Sequence, residues 1–132
     1  MAKIKNRTTN TGVLIKTPEE GGGSDHLTPL FCLSLIARDF CVLDCETNEQ
    51  AAFACKLRKI SQMTWRELKN APREGLGFES IYNIDKDKIP AVAQGKRILA
   101  FRISEIHRLI GYRDNRVFHI IWNDPRGRVY PH

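Results

Sequence analysis

The chain has 132 residues, which suits one domain. Apolar residues make up 42% and charged residues 27%. That composition excludes collagen, coiled coil and full disorder, and no apolar run approaches the roughly 20 residues of a membrane helix. Lys and Arg number 21 against 15 acids, a formal charge of +6, and such an excess favours polyanionic partners.

Taken in chain order, residues 1–28 read as an irregular, flexible arm. Lys3, Lys5 and Arg7 come first, Val13-Leu14-Ile15 is a candidate short strand, and Gly21-Gly-Gly-Ser-Asp25 is linker chemistry. The start, Met1-Ala-Lys-Ile-Lys, has no apolar core of a secretory signal, and the expected location is cytoplasmic. A single α+β domain is expected over 29–132. Leu30–Leu35 and Phe40–Leu43 are short apolar runs around Ala37-Arg-Asp39, which predicts a β-hairpin.

Two helices follow in the reading. Thr47 with Gln50 forms a capping box before Phe53, Leu57 and Ile60, which recur at helical spacing. Thr64 with Glu67 forms a second box, Trp65 and Leu68 share one face, and Pro72 ends the helix. Arg73-Glu-Gly-Leu-Gly77 reads as a plain turn, and Ile84–Pro90 as a polar connection. The last third alternates in the β period. Ile98–Ile103, Ile106–Tyr112 and Val117–Trp122 are strands separated by turns at Ser104-Glu105 and Arg113–Arg116, and Arg128-Val-Tyr130 is a candidate closing strand. The expected fold is a short N-terminal β-hairpin and a two-helix hairpin packed on a three- to four-stranded antiparallel sheet.

Cys32, Cys41, Cys45 and Cys55 lack zinc-ligand spacing and read as buried, reduced thiols. No metal site and no cofactor is expected. The positive charge clusters instead. Residues 56–74 hold six basic side chains against two acids, and residues 96–132 hold eight against three. Seven of those eight are Arg, whose planar fork suits phosphate. Strand parity places Phe118, Ile120 and Trp122 on one face with Val117, His119 and Ile121 opposite, and groups Arg108, Ile110 and Tyr112. On that basis His119 is a candidate proton-transfer group, Arg108 and Arg113 candidate charge stabilisers, and Tyr130 or His132 a second donor. Arg73, Lys96, Arg97, Arg102, Arg116, Arg126 and Arg128 are candidate nucleic-acid contacts.

The order of two helices and then a sheet resembles the RelE/ParE toxin superfamily over residues 48–132. Its late strands here read Phe101-Arg-Ile, Arg108-Leu-Ile-Gly-Tyr-Arg113 and Val117-Phe-His-Ile-Ile-Trp-Asn-Asp-Pro125, with Tyr130 near the end. RelE-type members cut mRNA on the ribosome and ParE-type members poison gyrase. The resemblance implies a metal-independent ribonuclease with Arg108, Arg113, His119, Tyr130 and His132 at its site, RNA as its partner, and a cognate antitoxin. The Pro29–Cys45 stretch and the Met63–Gly77 segment have no counterpart in that family. Two other readings stand beside it: a non-catalytic nucleic-acid-binding module, and a protein-interaction domain with a basic face. No membrane partner is expected.

Overall fold

The computed structural model describes residues 21–131. Five strands make one sheet: β1 (Leu30–Cys32), β2 (Phe78–Ile81), β3 (Ile98–Arg102), β4 (Arg108–Asp114) and β5 (Val117–Asp124). Two helices precede β2, α1 (Thr47–Ile60) and α2 (Trp65–Asn70). The sheet order is β1-β5-β4-β3-β2, antiparallel throughout except where β1 runs parallel to β5. The α+β class and the helices-then-sheet order are as expected, with five strands rather than three or four.

Apolar side chains cover both faces of this sheet. On the helix side, Phe53, Ile60, Trp65 and Leu68 pack against Leu99, Phe101, Leu109, Phe118 and Ile120. On the far side, Ile98, Ala100, Ile110, Tyr112, Ile121 and Trp122 meet Ile81, Ile84, Ala93, Val129 and Tyr130. The loops and the chain end therefore form the second cover layer. Trp65 anchors the helix side. It is fully buried, its ring lies edge-on to Phe78, and its Nε1 donates to the Arg116 carbonyl at 3.0 Å.

The structure corrects several local expectations. The Leu30–Leu43 hairpin does not form. Leu30–Cys32 pairs with Val117–His119 in parallel, and Arg38–Phe40 and Val42–Asp44 are single 3₁₀ turns. A distant strand satisfies that apolar run, so no local partner is needed. The first capping box lies one residue earlier: Glu46 is the N-cap and its N–H donates to the Glu49 carboxylate at 3.0 Å. Gln50 instead donates to the Val42 and Cys45 carbonyls, both at 3.2 Å. The second box, Thr64 with Glu67, forms as read. Residues 128–130 make no strand, and β2 joins the sheet where no strand is read from sequence. Residues 24–28, read as part of the arm, are docked: Ser24 and Asp25 are buried, and the Asp25 and Leu27 carbonyls accept from Arg66 and Trp65. The Val13–Ile15 strand and His132 lie outside the described residues.

Parity on β5 also changes. The register of β4 with β5 slips between Ile110 and Gly111, so Ile110 opposes Trp122 while Gly111 opposes Ile120. The bulge turns Trp122 onto the face of Ile121, away from Phe118 and Ile120. Gly111 permits the close approach: a Cβ there would lie 1.9 Å from the His119 carbonyl oxygen.

Candidate anion-binding site

The strand register sorts the candidate residues. Arg102 pairs with Arg108 across β3 and β4, which places both guanidinium groups on the far side of the sheet at one end. Tyr130 folds back beneath them. An open cleft of ≈ 380 Å³ is lined by Arg73, Glu79, Arg102, Arg108 and Tyr130, with Tyr82 and Asn83 at its rim. A second open cleft, of ≈ 620 Å³, adjoins it, lined by Lys56, Lys59, Glu74, Arg102 and Glu105 with Cys55. Arg102 lines both.

The cations here differ in how they are engaged. Arg73 donates to Glu79 at 2.6 Å and lies 3.5 Å from Glu74, and the Glu79 carboxylate raises its pKa. Arg108 is 4% exposed, and its Nη1 donates to the Ser104 and Glu105 carbonyls at 2.9 Å each. Its Nε has no partner among the described residues. Lys56 donates to the Gly75 carbonyl at 2.7 Å, and burial and then Lys59 lower its pKa. Arg102, half-buried, makes no hydrogen bond or ion pair among the described residues. Burial, and then Glu79, raise the Tyr130 phenol pKa above its usual value.

The other candidates are spread over the molecule. Arg113 lies on the helix side, opposite Arg108. Its Nη2 donates to Asp25 at 2.6 Å and its guanidinium sits 4.4 Å above the Trp65 ring. His119 opposes Tyr112 on the far side and stacks on its ring at 4.8 Å. Tyr112 is four residues from Arg108, about 13 Å along a strand. His119 and Arg108 therefore do not share a site, and Arg113 joins neither. The His119 Nδ1 is buried without a partner among the described residues.

Lys96 and Arg97 line a separate cleft of ≈ 380 Å³ at the other end of the sheet, with Asp25, Lys69, Phe78 and Arg113. Arg97 donates to the Ser80 hydroxyl at 2.6 Å, and Lys96 lies 5.9 Å from the Tyr112 ring centre. Arg116 holds the chain entering β1, with its guanidinium on the Thr28 carbonyl and hydroxyl. Arg126 pairs with Glu49 and, at 3.7 Å, with Glu46. Arg128 lies over the Phe40 ring at 4.7 Å. These last three serve the fold.

The glycine loop is a plain turn: the Gly75 and Gly77 amides both donate to the Pro72 carbonyl at 3.0 Å, which removes them from anion binding. The four thiols are free, but Cys55 is exposed and the other three half-buried, so none is a core residue. Cys45 accepts from Asn123, whose Oδ1 is 2.6 Å from His107 Nε2. Among the described residues, no group of three or more His, Cys, Asp or Glu is placed to hold a metal ion, and no helix is long and apolar enough to cross a membrane.

Sequence reasoning missed Tyr82, Glu79, Lys56 and Lys59 as cleft residues. The two lysines lie in the C-terminal half of α1, where the helix dipole by itself favours cations. Glu79 lies on β2, which is not read from sequence, and Tyr82 directly follows that strand. Comparison with family models, curated proteins and solved structures returns no match.

Proposed function

We propose that this protein is a nucleic-acid-binding module that holds the phosphate backbone in the paired clefts around Arg102. The observation that carries the reading is the state of that side chain. A half-buried guanidinium that makes no hydrogen bond or ion pair among the described residues sits where two clefts meet, with Lys56, Lys59, Arg73 and Arg108 around it and the Glu74 carboxylate within electrostatic reach. Guanidinium groups form bidentate bonds with phosphate, and a part-desolvated one binds more strongly than a fully solvated one. RNA is the partner that fits the sequence reading. The neighbouring Glu74, Glu79 and Glu105 limit the net charge and favour a positioned backbone over indiscriminate adsorption.

Cleavage of RNA is a second reading, favoured by one feature: Glu79 and Tyr130 line the same cleft as the arginines. A carboxylate and a phenol are the group types that supply a base and an acid for a 2′-hydroxyl attack, and here the carboxylate is also paired with Arg73. A toxin-type ribonuclease built this way would use Glu79, Arg102 and Tyr130, with His119 outside the reacting centre.

One experiment separates these readings. A labelled RNA oligomer is titrated with the full chain at several salt concentrations, and the RNA is then run on a denaturing gel. Binding that weakens linearly in log salt, with intact RNA, supports the module. Shortened RNA, lost in Glu79→Gln, supports the ribonuclease. No binding at low salt overturns both.

A further inference from the structure

Tyr82 is 85% exposed, the most exposed large apolar side chain among the described residues. The other two tyrosines, Tyr112 and Tyr130, are 5% and 6% exposed, and both tryptophans are buried. Every described phenylalanine is buried or half-buried. Tyr82 is therefore the one exposed ring among the described Phe, Tyr and Trp residues, and it lines the cleft that holds Arg73, Arg102 and Arg108.

Its backbone is held on both sides. Ile81, before it, pairs with Ile98 in the sheet and is buried. Asn83, after it, donates from Nδ2 to the Pro131 carbonyl at 3.4 Å. The Tyr82 side chain makes no hydrogen bond or ring contact among the described residues, so packing does not account for its type. An aromatic ring on a fixed backbone loses little rotamer entropy on capturing a planar partner.

We propose that Tyr82 is a stacking platform for an unpaired base, which makes the ligand of this cleft single-stranded nucleic acid. The inference rests on the phosphate-binding reading of the Arg102 cleft and adds the strand state to it. A basic groove that tracks the backbone, with an aromatic ring beside it, is the combination that captures single strands. In a duplex the base faces are already stacked on one another, and a side chain standing at the rim of a cleft meets only backbone.

The test uses anisotropy of a short labelled oligouridylate, with a duplex of the same length and inorganic polyphosphate as comparators. Each is titrated against the wild type, Tyr82→Ala and Tyr82→Phe. The wild type should bind the single strand more tightly than the duplex. Tyr82→Ala should weaken the single strand about tenfold, leave duplex and polyphosphate unchanged, and melt at the wild-type temperature, since the ring is exposed. Tyr82→Phe should retain single-strand affinity, because stacking needs the ring and not the hydroxyl. Equal weakening toward all three ligands, or none toward the single strand, overturns the stacking role while leaving the Arg102 reading intact. Failure of the wild type to bind any of the three overturns both.

Discussion

Asp25 and Arg113 are 88 residues apart in sequence and 2.6 Å apart in space. The same carboxylate takes a 2.9 Å bond from Lys69 on α2. One buried acid thus ties the segment entering β1 to the end of β4 and to the second helix. It also occupies an arginine that sequence reading assigns to phosphate.

Removing that carboxylate charge should cost stability. Asp25→Asn leaves Arg113 and Lys69 without their ionic partner, at a cost of about 1–3 kcal/mol. The Asp25 pKa is lowered from 3.8, chiefly by the Lys69 hydrogen bond and then by Arg113, against an opposing burial effect. A depressed folded-state pKa means that the contribution is present above the unfolded value and is lost as pH falls through the folded one. Denaturant unfolding should therefore show a constant gap between wild type and variant at neutral pH that closes below about pH 4. A gap that persists in acid would contradict the ionic account.

Gly111 should tolerate no side chain. An alanine Cβ would meet the His119 carbonyl at 1.9 Å and its carbon at 2.9 Å, both backbone atoms of the neighbouring strand. We expect Gly111→Ala to destabilise the fold by about 2 kcal/mol or more, through loss of the β4–β5 bulge. Thermal melting checks this, and a wild-type midpoint would show that the bulge gives way cheaply.

Much of the helical part is legible in the sequence because its determinants are local. Thr64 and Glu67 cap α2, Trp65 and Leu68 point inward, and Pro72 follows the end, all within nine residues. The misreadings arise where the partner is remote. Leu30–Cys32 looks like half of a hairpin until Val117–His119 is found to pair with it. Phe78–Ile81, with Glu and Ser in the middle, carries no clear alternation, yet β3 draws it into the sheet. The bulge beside Gly111 reverses the face of Trp122, which a strict two-residue period does not foresee. The site follows the same division. The arginines themselves are legible as candidates, whereas the Arg102–Arg108 pairing and the separation of Arg113 and His119 from it depend on register and on Asp25.

The thiols should differ in reactivity. Cys32 is lowered in pKa by hydrogen bonds from Ser34, and Cys45 is raised, chiefly by burial. Because the thiolate is the nucleophile, iodoacetamide should modify Cys32 before Cys45 near neutral pH. Mass-spectrometric mapping of the alkylation sites over time measures the order. Faster labelling of Cys45 would contradict the assigned environments.

Arg102 and Arg108 should separate function from folding. Arg108 is buried and its Nη1 satisfies two turn carbonyls, so Arg108→Ala should lose about 1–3 kcal/mol of stability. Arg102 has no such bonds, and Arg102→Ala should melt close to the wild type. A large loss of stability in Arg102→Ala would mean that the side chain supports the fold.

The most direct test is the salt dependence of oligonucleotide binding by the wild type and Arg102→Ala, measured side by side. If Arg102 holds a phosphate, the variant binds more weakly across all sequences, and its slope of log affinity against log salt is shallower by about one. Identical affinities and identical slopes would contradict the account and place the ligand of this protein elsewhere.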